Sequence, residues 1–154
     1  MANMQAMLVL VQFIAENFAV FFGGLFSGAA IYVCLTEHPP RTMLLFADLL
    51  ALSRSNSRRT NAVLTTLAAV TALTASVSSL AGASIWWFVG GVAHLAAVII
   101  LRTKVAPLAK ELAALDTDRD SEALGQKLLQ RQAAYFSLLA LVGLFSQYLF
   151  IGQR

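Results

Sequence analysis

Glu37 and His38 stand side by side in the stretch TEHPPR, where a long apolar run stops. A histidine titrates near neutral pH, and an adjacent carboxylate can orient it. The pair therefore has the composition of a general base with its positioning partner. Arg41 follows three residues on. The same residues also read as the end of a helix. Pro39 steers His38 away from helical geometry, and an arginine beside lipid snorkels toward water.

Three further polar residues lie inside apolar runs: Glu16, Asn17 and His94. An ionisable side chain at mid-bilayer costs about 2.5–3.5 kcal/mol on insertion scales, so it should face other helices or a cavity. Whether Glu16 and His94 share a cavity depends on how depth is counted. From the outer helix ends, both lie about 15 Å deep at 1.5 Å per residue. From the inner ends they separate, and His94 falls opposite Ser27 and Gly28. Metal chemistry has little to work with: one cysteine (Cys34), two histidines, and no zinc-binding HExxH pattern. The segment DTDRD lacks the glycine and the twelfth-position glutamate of a calcium loop. No Ser-His-Asp set or phosphate loop is present, and no cofactor or metal is expected.

These residues must be positioned by helices in lipid. The chain has 154 residues, of which 58% are apolar and 12% charged, about half the charged share of a soluble domain. Four apolar stretches, at about 6–35, 61–80, 84–101 and 134–151, approach or exceed the ~20 residues needed to cross ~30 Å of hydrocarbon. None alternates like an outer-membrane strand. No Lys or Arg precedes the first stretch, which reads as a retained helix rather than a signal peptide. The expected fold is all-α: an integral membrane four-helix bundle forming a single domain.

Segments 36–60 and 102–133 carry ten of the eleven basic residues, and the short link LAGAS carries none. The positive-inside rule places both segments in the cytoplasm and both termini outside, as in a bacterial inner membrane. Spread along two segments, the Lys and Arg residues show no basic face for nucleic acid, which is not an expected partner. Leu44, Leu45, Leu49 and Leu52 in RTMLLFADLLALSRS suggest a short amphipathic helix on the membrane surface. Small residues suit helix–helix packing: Gly23, Gly24, Ser27 and Gly28 on the first helix, Gly90 and Gly91 on the third, and Gly143 on the fourth.

The stretch GLFSGAAIYVCLTEHPPR resembles the signature of the anthrone oxygenase-like membrane protein family, a small-residue first helix leading into Glu-His-Pro-Ala-Arg. Glu37, His38, Pro39 and Arg41 match, and Pro40 stands in place of the alanine. The resemblance covers most of the chain. It implies a four-helix membrane fold and, in characterised fungal relatives, oxygenation of an anthrone to an anthraquinone without an evident cofactor. Catalytic roles for Glu37, His38 and Arg41 follow from this match. The family's Trp, His and Arg entering the last helix are replaced by Gln132, Phe136 and Leu139, and its Pro-Thr-Asn by Thr103 in RTK.

Three functions are thus open. The first is an accessory or structural subunit, with the lipid bilayer and other membrane subunits, or a second copy, as partners. The second is a membrane enzyme acting on a hydrophobic small molecule of anthrone or quinone type. The third is a small transporter or proton path through Glu16 and His94.

Overall fold

The computed structural model describes residues 2–37, 45–116 and 119–152, and the described residues form helices without a strand. Among the described residues five helices follow one another: α1 (Ala2–Tyr32), α2 (Phe46–Leu80), α3 (Ile85–Ile100), α4 (Ala106–Ala113) and α5 (Arg119–Gly152). Two π-turns extend this set. Val33–Glu37 closes α1, and Leu101–Val105 joins α3 to α4.

Four segments are long and apolar enough to cross a membrane: 3–35, 54–80, 85–113 and 121–152. Only 33–39% of each segment's most apolar window is buried within the protein. The rest presents side chains such as Phe21, Leu73, Leu95, Leu141 and Phe145 outward. A surface this apolar needs hydrocarbon around it. The chain is an integral membrane protein with an all-α bundle of four spanning helices.

The connection between α2 and α3 shows how sequence sets the topology. Gly82 adopts φ 115°, a left-handed conformation that costs glycine little. Ala83 N–H then bonds Ser78 C=O and Gly82 N–H bonds Ser79 C=O, the paired bonds of a Schellman helix end. Ser84 accepts from Trp86 N–H and starts α3. Four residues thus reverse the chain. In the bundle, α1 and α3 each pack against both α2 and α5, so α1 and α3 face each other across the centre.

Two helices extend well beyond the apolar runs. The surface helix expected around 41–55 is instead the first turns of α2, which continues unbroken from Phe46 to Leu80. Asp48 in its first turn suits the positive end of the helix dipole. α5 likewise begins at Arg119, well before the apolar residues from 134. The chain after α3 turns through Leu101–Val105 and continues as α4, with Pro107 near its start. These extensions form a second small core beyond the membrane, built on Leu49, Leu50, Leu112, Leu128 and Leu129. Arg54 ties it together by donating from Nε to Ala113 C=O (2.9 Å) and from Nη2 to Leu115 C=O (3.1 Å). A cation at the negative end of α4 is favourably placed.

Candidate functional site

The centre of the bundle holds His94, which is fully buried. Its position follows from a notch in α3. A side chain at Gly90 would run into the Phe150 ring, so glycine leaves that ring room to sit against α3. Trp87 and His94, on either side of Gly90 along the helix, both lie nearly parallel to Phe150. The Trp87–Phe150 centroids are 4.8 Å apart at 13°, and the His94–Phe150 centroids 6.1 Å apart at 14°. Phe26 of α1 meets the imidazole edge-on at 5.2 Å and 63°. His94 Nδ1 lies 3.0 Å from Gly90 C=O. A carbonyl only accepts, so Nδ1 carries the hydrogen. Among the described residues, Nε2 has no hydrogen-bond partner.

Phe26 also settles the two depth counts. It is ten residues beyond Glu16 on α1, about 15 Å along the axis. Glu16 is half-buried and accepts from Gln12 Nε2 at 2.8 Å. Gln12 in turn lies beside Gly82, in the link between α2 and α3. Glu16 therefore sits about one turn below that link, and it does not share a cavity with His94. Asn17 is exposed and donates from Nδ2 to Phe13 C=O at 2.7 Å. The geometry thus separates Glu16 and His94, the two residues of the transporter reading, by about 15 Å along the bundle axis.

Several other intramembrane hydroxyls are satisfied by their own helices. Ser27, Thr71, Ser76 and Ser146 each donate to the carbonyl four residues back. Gln147 reaches from α5 across Gly23 toward Thr71, where three helices meet. Ser78 Oγ and Gln147 Nε2, both buried, lack partners among the described residues.

The small residues divide into two groups. Gly23 is covered by Gln147, Gly90 by Phe150, Gly91 by α2 (Ala72 C=O and Ser76) and Gly143 by Ser27. These four positions are close helix–helix contacts inside the bundle. Gly24 and Gly28 differ: a side chain added at either would meet nothing within 4 Å. They are exposed, one turn apart, between the exposed rings of Phe21 and Tyr32. The sequence presents both pairs as equivalent small-residue motifs, and only the packing shows which one remains open.

Glu37 ends the first π-turn, and its side chain lies outside the described residues, as do His38 and Arg41. Cys34, in the same turn, has Sγ 3.8 Å from Ser137 Oγ on α5, a packing contact between helices. No group of three or more metal-ligating side chains occurs among the described residues.

The basic residues are arranged differently from the sequence expectation of no basic face. The fold gathers Arg54 and Arg58 from α2, Arg102 from the second π-turn and Lys110 from α4 around one cleft of about 330 Å³. Sequence reasoning missed this cleft because its charges come from separate elements. The signal available was weak: Arg54 and Arg58 lie four apart, on one helix face.

Comparison with protein-family models, with curated proteins and with solved structures finds no match to this chain.

Proposed function

We propose that the protein is an accessory or structural subunit of a membrane complex, and that another membrane helix packs against α1 at Gly24 and Gly28. One observation carries this reading: these are the small residues of a GxxxG pair that the bundle leaves uncovered. In lipid no hydrophobic effect drives helices together. Association rests on van der Waals packing, which glycines permit by letting backbones approach. Inside the bundle the chain already uses glycine this way, at Gly23, Gly90, Gly91 and Gly143. Gly24 and Gly28 present the same device outward, with Phe21, Leu25 and Tyr32 as side walls.

The test is photocrosslinking in native membranes. A photoreactive residue at Phe21 or Tyr32, beside the glycine pair, is expected to give a discrete protein adduct. The same residue at Val92 or Leu141, exposed on α3 and α5, is expected to give lipid adducts only. Equal labelling at all four positions would remove the proposal.

The enzyme reading rests on the resemblance around Glu37, His38 and Arg41. One local feature favours it: a π-turn, Val33–Glu37, leads into that motif, and π-turns recur at functional sites. In this reading His38→Ala abolishes turnover of an anthrone or quinol substrate. Unchanged turnover would end it.

A further inference from the structure

The cleft at the basic end of the bundle has features that the subunit reading does not use. Four cationic side chains line it, and no carboxylate does among the described residues. Apolar side chains of Ala62, Leu101 and Ala106 share the lining with Thr65 and the Asn61 amide. Arg54 is held in place by its bonds to the Ala113 and Leu115 carbonyls. Arg58, Arg102 and Lys110 are exposed and make no ion pair or hydrogen bond among the described residues. Three cations are thus gathered beside a fourth without counter-charges among the described residues, in a fold that has carboxylates such as Asp48 and Glu111 nearby in sequence.

Depth identifies the kind of anion. The outer edge of the membrane is fixed by the uncharged link at 81–84. About 20 residues cross the hydrocarbon. Counting inward from Leu80 along α2 reaches Asn61, and counting from Ile85 along α3 reaches Lys104. Ala62 and Leu101 therefore meet the headgroup-proximal part of the acyl chains, Arg54, Arg58 and Lys110 stand at the level of the phosphates, and Arg102 reaches that level by snorkelling. Basic pockets between spanning helices at this level suit anionic headgroups.

We propose that this cleft is a binding site for the phosphate-bearing headgroup of an anionic phospholipid. Arg58, Arg102 and Lys110 contact the phosphate, and Arg54 holds the wall between α2 and α4. Arginine suits the task because its planar fork pairs with two phosphate oxygens at once. The acyl chains leave past Ala62 and Leu101 into the bilayer. The bound lipid joins α2 to the π-turn and α4, which makes it part of the structure at this end.

The full chain in detergent is titrated with phosphatidylglycerol, with phosphatidylcholine and with sn-glycerol 3-phosphate, and occupancy is read by native mass spectrometry. The wild type is expected to bind phosphatidylglycerol at least about tenfold more tightly than phosphatidylcholine. Each basic residue near an anionic lipid surface contributes about fivefold in affinity, so R58Q/R102Q/K110Q should weaken phosphatidylglycerol binding on the order of a hundredfold. The control R59Q/K104Q/K127Q loses equal charge outside the cleft and should stay within about threefold of wild type. Should the triple cleft variant fail to fold, R58Q and R102Q singly should each show the fivefold loss. Equal weakening in cleft and control variants, equal binding of the two lipids, or binding of sn-glycerol 3-phosphate alone would each overturn the proposal.

Discussion

Adding one methyl group at Gly143 should destabilise the bundle, whereas the same change at Gly28 should not. At Gly143 a new Cβ would lie 3.1 Å from Ser27 Cα and closer still to Ser27 Oγ. The Cα belongs to the α1 backbone and cannot rotate away. The hydroxyl is held by its 2.8 Å bond to Gly23 C=O. Relief therefore requires α1 and α5 to separate, and such overpacking costs about 1–3 kcal/mol. Replacing glycine by alanine within a helix returns up to about 1 kcal/mol. The net expectation for Gly143→Ala is a loss of up to about 2 kcal/mol. At Gly28 the new methyl meets nothing within 4 Å, so only the helical gain remains, up to about 1 kcal/mol. Reversible unfolding in mixed detergent micelles, followed by circular dichroism, measures both. If the two variants shift stability equally and in the same direction, the assignment of Gly143 to the interior and Gly28 to the open face is wrong.

His94→Phe keeps a ring between Phe26 and Phe150 while removing the buried Nε2 that lacks a partner. The same unfolding assay should show a change of no more than about 1 kcal/mol, in either direction. A loss above about 3 kcal/mol would mean that Nε2 is bonded in the native assembly. Arg54→Ala removes two hydrogen bonds from the end of α4. Hydrogen exchange at 106–116 should then speed up, while exchange at 85–100 stays unchanged. Leu112→Ala opens the small core beyond the membrane and should cost about 2–5 kcal/mol in stability of that layer. Protease cutting near residues 114–118 reports it.

Hydropathy made the four spans legible, because a span must be apolar along its whole length. It did not show that α2 and α5 continue as helices far beyond the membrane. Serines, asparagine and arginines interrupt the apolar run in LSRSNSRRT, yet none of them breaks a helix. The leucines at 49, 50, 112, 128 and 129 that stabilise these arms come from three separate helices. The two π-turns left no recognisable pattern. His94 was identifiable as an intramembrane polar residue. Its environment of Trp87, Phe150 and Phe26 depends on the register of three helices, which residue counting left ambiguous. The small residues were legible as packing residues, but Gly23 and Gly24 are neighbours that point to different surroundings. The cleft of Arg54, Arg58, Arg102 and Lys110 depends on how α2 meets the π-turn after α3, a tertiary fact absent from any one segment.

The open glycine face on α1 makes its most direct demand on the mass of the native particle. Gently extracted from its membrane, the 16.5 kDa chain should sediment as part of a larger protein assembly. G24L/G28L, which fills the face without touching the bundle interior, should release it as a single folded chain. A wild-type protein that sediments alone and monodisperse, or a G24L/G28L variant that retains the full assembly, would contradict the account.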